Sequence, residues 1–291
     1  MTLDQLRIFI AVAEREHLTQ AANALALTPS AVSAAIRALE DRYGTPLFNR
    51  VGRRIELSEA GRIFLAEAQA TLAMARNAEL TLAELGGLKR GALRIHASQT
   101  IASYWLPALL VRFRQHYPQI ELTLTIGNTQ SVARAVVEGE ADLGFVEGEI
   151  DEAELSVQVV AEDRIAVLVA PGHRWDGQAA VTGEELLTER WVLREHGSGT
   201  RSAFEGMLGA LGMDGERLDV ALTLPSNEAV CAAAMFGGFA TVVSERVAAA
   251  YLQAGLLRKV DFALPARAFR LLRHQARYRN KASLALEALI A

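Results

Sequence analysis

The residues of this chain best suited to chemistry fall into two groups, and neither is of the bond-breaking kind. The first is three short segments rich in hydroxyls or glycine: Ser98-Gln99-Thr100, Gly197-Ser198-Gly199-Thr200-Arg201 and Ser226-Asn227. Each lies where a strand-like apolar run gives way to helical spacing, so each leaves unpaired backbone N–H groups at a helix start, with hydroxyls as further donors. Three such ends converging make an anion pocket, placed outside the carboxyl ends of strands where α/β sheets hold ligands. Plain N-capping uses the same residue types and competes with this reading at each segment. The paired glycines permit close backbone approach, and Arg201 adds a charge-assisted contact unless it pairs with Glu195 or Glu205. Glu147, after Phe145-Val146, faces the same cleft in this reading. It opposes a fully ionised ligand unless it accepts a hydrogen bond from a protonated one or from water.

The second group is Thr19, Thr28, Ser30, Ser33 and Arg37, followed by Arg50, Arg53 and Arg54. Small hydroxyls and one arginine on a helix face suit base edges and phosphates; three arginines on a short hairpin suit backbone or minor-groove contact. The formal net charge is −4, which averages over a surface and does not exclude a basic patch. From Met1 to Ser58 seven Lys/Arg face six Asp/Glu, so the acidic excess belongs to the rest of the chain.

Enzymatic alternatives find little support. The six histidines (His17, His96, His116, His173, His196 and His274) show no metal-ligand spacing, and Cys231 is the single cysteine. A disulfide within the chain and a cysteine-rich metal site are therefore excluded. There is no Walker loop, His196-Gly197-Ser198-Gly199 lacks the spacing of a nucleophile elbow, and Gly209 to Gly215 do not form a dinucleotide fingerprint. No cofactor is expected. With no leader-like start and no apolar run near twenty residues, the expectation is a cytoplasmic protein without a membrane partner.

The elements that must position these groups are legible in outline. Leu3, Leu6, Phe9, Ile10 and Ala13 recur at helical spacing; Thr19 is expected to cap a short second helix through Leu25; Pro29 opens a third, with Val32, Ile36 and Leu39 inward and Gly44 as its left-handed end. Two short helices with a tight connection are a helix-turn-helix, whose second member enters the major groove. Residues 47–57 alternate as a hairpin with Gly52 near the turn, a basic wing. A proline-free Ala/Leu-rich helix follows to about Leu85, with Leu65, Ala68, Leu72, Ala75 and Leu82 on a heptad-like seam interrupted by Glu79. Pairing with a second copy is expected there, against packing on its own domain. From Gly91 strands and helices alternate: Leu93–Ala97, one helix from Ile101 to Tyr117, Ile120–Ile126, and so on to Ser244. Mostly parallel sheets in two subdomains with a cleft are predicted.

With these residues in hand the sequence resembles the LysR-type transcriptional regulators. The resemblance rests on Leu3 to Phe9, Leu18-Thr19-Gln20-Ala21-Ala22, Ser30-Ala31-Val32-Ser33 with Ile36 and Leu39-Glu40, Gly44-Thr45-Pro46-Leu47-Phe48 with Arg50, and Leu57-Ser58-Glu59-Ala60-Gly61. Gly139-Glu140-Ala141-Asp142-Leu143-Gly144, Pro171-Gly172-His173 and Gly238 extend it over the remainder. It implies a winged helix-turn-helix DNA-binding domain (1–58), a linker dimerisation helix (59–88) and a periplasmic-binding-protein-like effector domain (91–291). In the last, subdomain I spans about 91–162 plus 266–291 and subdomain II about 163–265. It also implies double-stranded operator DNA as partner, a small-molecule anion as effector, homotetramers built from linker-helix dimers, and RNA polymerase contact if the chain activates. Leu193-Arg194-Glu195 before the Gly-Ser-Gly-Thr-Arg loop, with Phe269 to His274 and Tyr278, resembles the branch of sulfur-assimilation and sulfite-responsive regulators. A sulfur oxyanion is the implied effector, an organic carboxylate the alternative; a solute receptor or an enzyme on the α/β part would leave the helix-turn-helix without use. Pro29 stands where the family commonly has glutamine and Ala34 where it has a polar residue, often arginine. Fewer direct base contacts and more reliance on DNA shape follow.

Overall fold

Thr2 opens the first helix, α1 (Leu3–Arg15), by a reciprocal cap: its hydroxyl accepts the Gln5 N–H, and the Gln5 side chain accepts the Thr2 N–H. This computed structural model describes residues 1–51, 54–85 and 91–290. The chain falls into two compact units.

In the N-terminal unit α2 (Leu18–Ala24) and α3 (Pro29–Tyr43) follow α1. The cap of α2 is His17, whose ring accepts from Gln20, so Thr19 lies inside the helix rather than capping it. Thr28 caps α3, Pro29 fills its first position, and Gly44 ends it at φ 63°. Strands β1 (Phe48–Val51) and β2 (Arg54–Leu57) pair antiparallel, Phe48 opposite Leu57. Glu40 on α3 ties this hairpin down, its Oε1 accepting the N–H groups of Leu47 (2.8 Å) and Phe48 (3.1 Å). Phe9 packs between Phe48 and Phe64, ring centroids 5.4 and 4.9 Å away, in a core with Leu6, Val12, Ala21, Val32, Ile36 and Leu39. Helix α4 runs Glu59–Leu85. Gly61 lets it start hard against the hairpin, since a Cβ there would lie 2.1 Å from the Leu47 carbonyl oxygen. Ala68 is buried in this core, with Leu65 and Leu72 packed against it, so the front half of the heptad-like seam serves its own unit. Ile63, Met74 and Leu82 remain exposed.

The C-terminal unit builds two mixed sheets. It continues with β3 (Gly91–Ser98), α5 (Gln99–Tyr104), α6 (Leu106–His116), β4 (Ile120–Gly127), α7 (Thr129–Glu138), β5 (Leu143–Val146), β6 (Leu155–Asp163) and β7 (Ile165–Val169). Next come α8 (Gly183–Leu187), β8 (Arg190–Arg194), α9 (Gly199–Ala210), β9 (Asp219–Leu224), α10 (Asn227–Phe236), β10 (Ala240–Ser244), α11 (Glu245–Gln253), β11 (Arg258–Lys259), β12 (Arg267–His274) and α12 (Lys281–Ile290). One sheet has the order β4-β3-β5-β12-β6, the other β11-β7-β10-β8-β9. In the first, β3 runs parallel to β4 and β5, while β12 is antiparallel to β5 and β6. In the second, β8 is parallel to β9 and β10, and β7 is antiparallel to β10 and β11. The expectation of mostly parallel sheets is thus corrected, because the strands by which the chain leaves the first sheet and returns to it, β6, β7 and β12, run against their neighbours. The single helix expected from Ile101 to Tyr117 is two. Pro107 has no N–H to continue the ladder, and α5 ends where the Trp105 N–H reaches the Ile101 carbonyl (3.1 Å).

The first sheet is sandwiched by Phe113, Ile101, Phe145, Phe269 and Leu286 on one face and by Val132, Val136, Val146 and Leu272 on the other. The second has Trp175, Trp191 and Phe204 on one face and Val230, Cys231 and Val247 on the other. The chain passes between sheets twice, at Arg164 between β6 and β7 and again just before Arg267.

Candidate functional site

Ser98 ends β3 as the first residue of a turn into α5, and its hydroxyl caps nothing on that helix. It donates instead to the carboxylate of Glu147, the residue that follows β5. Thr200, in the first turn of α9, lies on the same carboxylate, Oγ1 to Oε1 3.5 Å. Behind them Arg267, at the start of β12, donates through Nη1 to Thr200 Oγ1 (3.0 Å) and comes within 3.9 Å of Glu147 Oε1. Its Nε and Nη2 both bond Asp163 Oδ2, at 2.9 and 2.7 Å. All five side chains are buried, Glu147 being 3% exposed. The sequence reading expected an anion pocket here with Glu147 facing it. In the structure Glu147 itself occupies the position to which the hydroxyls point.

A second cluster lies along α10. Asn227 donates to Thr100 Oγ1 (3.2 Å) and accepts from Arg194 Nη1 (2.8 Å). Gln99 accepts the Asn227 N–H through Oε1 (2.8 Å) and donates to Glu228 Oε2 (2.7 Å), and the Tyr104 hydroxyl donates to Glu228 Oε1 (3.2 Å). Ser226 caps α10 by accepting the Ala229 N–H. Two of this helix's first N–H groups are therefore already satisfied, and it contributes less to an anion site than expected. Ser198, buried, starts α9 without a side-chain cap bond.

Two arginines near these clusters are paired with carboxylates. Arg201 bonds Glu205 (2.7 Å) and the Arg194 carbonyl, and Arg194 holds both oxygens of Glu195 (2.8 and 2.9 Å). Burial pushes the Glu195 carboxyl up, yet the Arg194 bonds and charge outweigh it and leave the group below the ordinary carboxylate value. Burial, with Glu228 nearby, raises the Tyr104 hydroxyl to about 12.

Beside Glu147 opens a cavity of about 860 Å³, lined by Thr129, Gly148, Gly197, Ser202 and Arg270 among others and rimmed by Glu149, Asp151, Glu152 and Glu162. Gly197 takes φ 86°, which favours glycine. At Gly199 a Cβ would lie 2.5 Å from Thr129 Oγ1 and 2.8 Å from the Gly148 nitrogen, so the two loops touch because that side chain is missing.

Ser98, Glu147 and Thr200 thus form one cluster, Gln99, Thr100 and Asn227 another, while Ser226 caps its own helix and Arg201 ties α9 to the end of β8. Sequence reasoning missed Arg267, Asp163 and Glu228, and took Arg194 only as part of a motif. Arg267 and Asp163 carry no local signal; each reads as a strand-end charge.

In the N-terminal unit Thr19, Thr28, Ser30 and Arg37 are exposed and Ser33 half-buried, so α3 keeps a polar face with Ala34 open within it. Thr28 and Ser30 hydroxyls lie 3.0 Å apart, and Arg37 folds back on the Ser33 carbonyl (3.3 Å). Arg53 lies outside the described residues, as do the side chains of Arg50 and Arg54.

Among the described residues no helix is long and apolar enough to cross a membrane, and no cluster of His, Cys, Asp and Glu is arranged to hold a metal. Residues 3–62 match the family described as bacterial regulatory helix-turn-helix protein, lysR family, and residues 86–291 match the LysR substrate binding domain. The chain is 38% identical over 265 residues to the uncharacterized HTH-type transcriptional regulator YeiE of Escherichia coli K12, covering 91% of this chain and 88% of the relative. It is 35% identical to a probable RuBisCO transcriptional regulator of Cyanidioschyzon merolae, covering 89% and 87%. Its fold is similar to that of full-length CbnR in the crystal structure with its target DNA, TM-score 0.71 at 20% identity, covering 100% of this chain and 99% of that one. On the two family matches, which together take in nearly every residue, and on these relatives, the chain belongs to the LysR family of DNA-binding transcriptional regulators.

Proposed function

We propose that this regulator alters its grip on operator DNA when a small oxyanion enters the cleft of the C-terminal unit and takes over the donors that now hold Glu147. The observation that carries the reading is that Ser98, Thr200 and Arg267, from three separate elements, converge on one carboxylate. Donors so arranged recognise a carboxylate or an inorganic oxyanion equally. Because Arg194, Arg201 and Arg267 already face Glu195, Glu205 and Asp163, a second anion beside Glu147 would be repelled by its carboxylate with those three arginines already engaged. Displacement of Glu147 removes that conflict. The acidic rim of the cavity disfavours entry of a dianion more than of a singly charged species.

Sulfur oxyanions are the first probes, on the resemblance of the effector-domain motif, and small carboxylates the second. A thermal-shift screen of sulfite, sulfate, thiosulfate, phosphate and small carboxylates should find at least one that stabilises the chain by mass action. Ser98→Ala and Thr200→Ala should abolish that shift. If no anion shifts the melt, or if both variants respond like the parent, the cleft reading is wrong.

At the other end, α3 enters the major groove with Thr28, Ser30, Ser33 and Arg37 toward the DNA, Thr19 of α2 near a phosphate, and Arg50, Arg53 and Arg54 on the wing against the backbone or minor groove. Two copies pair along α4, where Ile63 and Met74 lie about three turns apart on one exposed face, and pairs assemble into tetramers. Anisotropy titration with DNA from upstream of the chain's own gene should give specific, salt-sensitive binding.

A further inference from the structure

The side chain of Arg267 makes more contacts than its place at a strand end requires. Its Nε and Nη2 bond Asp163, the residue opposite it in the β12–β6 pairing. Asp163 is the last residue before the chain leaves the first sheet, and Arg267 the first after it returns. One ion pair therefore staples both passages between the sheets. Asp163 also receives the Ser244 hydroxyl (2.7 Å) from the end of β10, and the Glu245 N–H bonds the Arg164 carbonyl (2.8 Å), so the second sheet is fastened at the same point. The remaining arm, Nη1, donates to Thr200 Oγ1 and lies 3.9 Å from Glu147. Whatever changes at Thr200 or Glu147 changes the partners of the group that holds the two passages together.

We propose that Arg267 is a positioning residue that couples occupancy of the Ser98–Glu147–Thr200 site to the geometry of the two inter-sheet passages. When Glu147 leaves the hydroxyls, Arg267 loses a neighbouring negative charge and Thr200 is drawn to the newcomer. The guanidinium then redistributes its bonds between the site and Asp163, and the angle between sheets follows, because those passages are where the chain crosses from one to the other. A buried ion pair is poorly suited to add stability and well suited to a two-way choice of partner, since its full desolvation cost has already been incurred. This rests on the reading of the cleft as the effector site.

Amide hydrogen exchange on the full chain tests the coupling with no ligand present. Thr200→Val keeps the shape of the side chain and removes the acceptor of Nη1. It should speed exchange at residues 163–165 and 267–269 by about fivefold, the worth of one buried hydrogen bond, and leave the edge strand β4 unchanged, while Thr200→Ser should restore the parent's exchange. Unchanged exchange at the passages, or a uniform increase throughout the unit, would leave Arg267 a structural partner of Asp163 and overturn the proposal. Sulfite then serves as the probe. At saturation it should alter protection of the same amides in the parent, and Asp163→Asn, titrated with sulfite to its own saturation, should lack that change. Transmission that survives in Asp163→Asn also overturns the proposal. Absence of any sulfite effect on the parent counts against the effector class proposed above and not against the coupling, which the Thr200→Val and Thr200→Ser pair decides alone.

Discussion

Glu147 meets two hydroxyls and a guanidinium that is already committed to Asp163. If its carboxylate competes with an incoming oxyanion, Glu147→Gln should tighten anion binding by about tenfold or more, which corresponds to about 1.4 kcal/mol of relieved repulsion. Calorimetric titration of the anion found in the melt screen measures it, and a weaker rather than tighter complex would mean that Glu147 takes a hydrogen bond from the ligand and stays in place. Gly199 is constrained differently. With Thr129 Oγ1 2.5 Å and Glu147 Cγ 2.8 Å from where a Cβ would sit, Gly199→Ala should lower stability by about 1–3 kcal/mol, the usual cost of overpacking, and abolish the anion response. Cys231 stands on the buried face of α10, and burial, with Glu228 nearby, raises its thiol to about 12. Near about pH 8 it should be inert to a disulfide reagent until the chain unfolds, because the thiolate is the reacting species; stoichiometric labelling of native protein would contradict the buried placement.

Among the elements, α3 was legible because its signals are local: Thr28 at the cap, Pro29 at the first position, Gly44 at the end. Thr28→Ala should accordingly cost about 1 kcal/mol of stability through the lost Ala31 N–H bond, and denaturant midpoints will report it. Strand β6, with Val157 and Val159 exposed along its edge, lacks the buried alternation by which a strand is read, and β12 is legible only through a family motif. The reason for the latter is physical. Leu271 and Leu272 pack on opposite faces of a strand that is covered on both sides, so both are apolar and the alternation that marks a half-exposed strand is lost. Arg267, Arg270 and Arg273 look unsuited to a strand within a sheet until their partners, Asp163, the Gly148 carbonyl and Glu287, are known. Local rules could not supply those partners, which come from elsewhere in the chain. The same holds for Thr19, displaced from the cap by His17, a residue type rarely expected there.

At the scale of the whole molecule the turns that line the cleft could be found from hydroxyls and glycines, but the pairing between them could not. Ser98 and Glu147 are 49 residues apart, and Thr200 and Arg267 are 67 apart, so which turn faces which is fixed by sheet order alone. The same long-range packing makes the fold sensitive to acid. On the first sheet His96 in β3 and His274 in β12 are both pushed below the ordinary histidine value of 6.5, chiefly by desolvation and then by the neighbouring charges of Arg94 and Arg277, with Glu154 opposing at His274. A histidine depressed in the folded state binds fewer protons there than in the unfolded chain. Its contribution is complete above the unfolded value and is lost as pH falls through the folded one. Stability should therefore decline as pH drops from about 7 toward about 5, before Glu195, depressed below 4.5, begins to protonate. Urea midpoints taken across that window at constant ionic strength should fall for the parent and fall less for His96→Gln and His274→Gln, with the double substitution flattest. Should the double variant lose as much as the parent, the acid sensitivity must arise from carboxylates, and its onset should then lie in the carboxylate range instead.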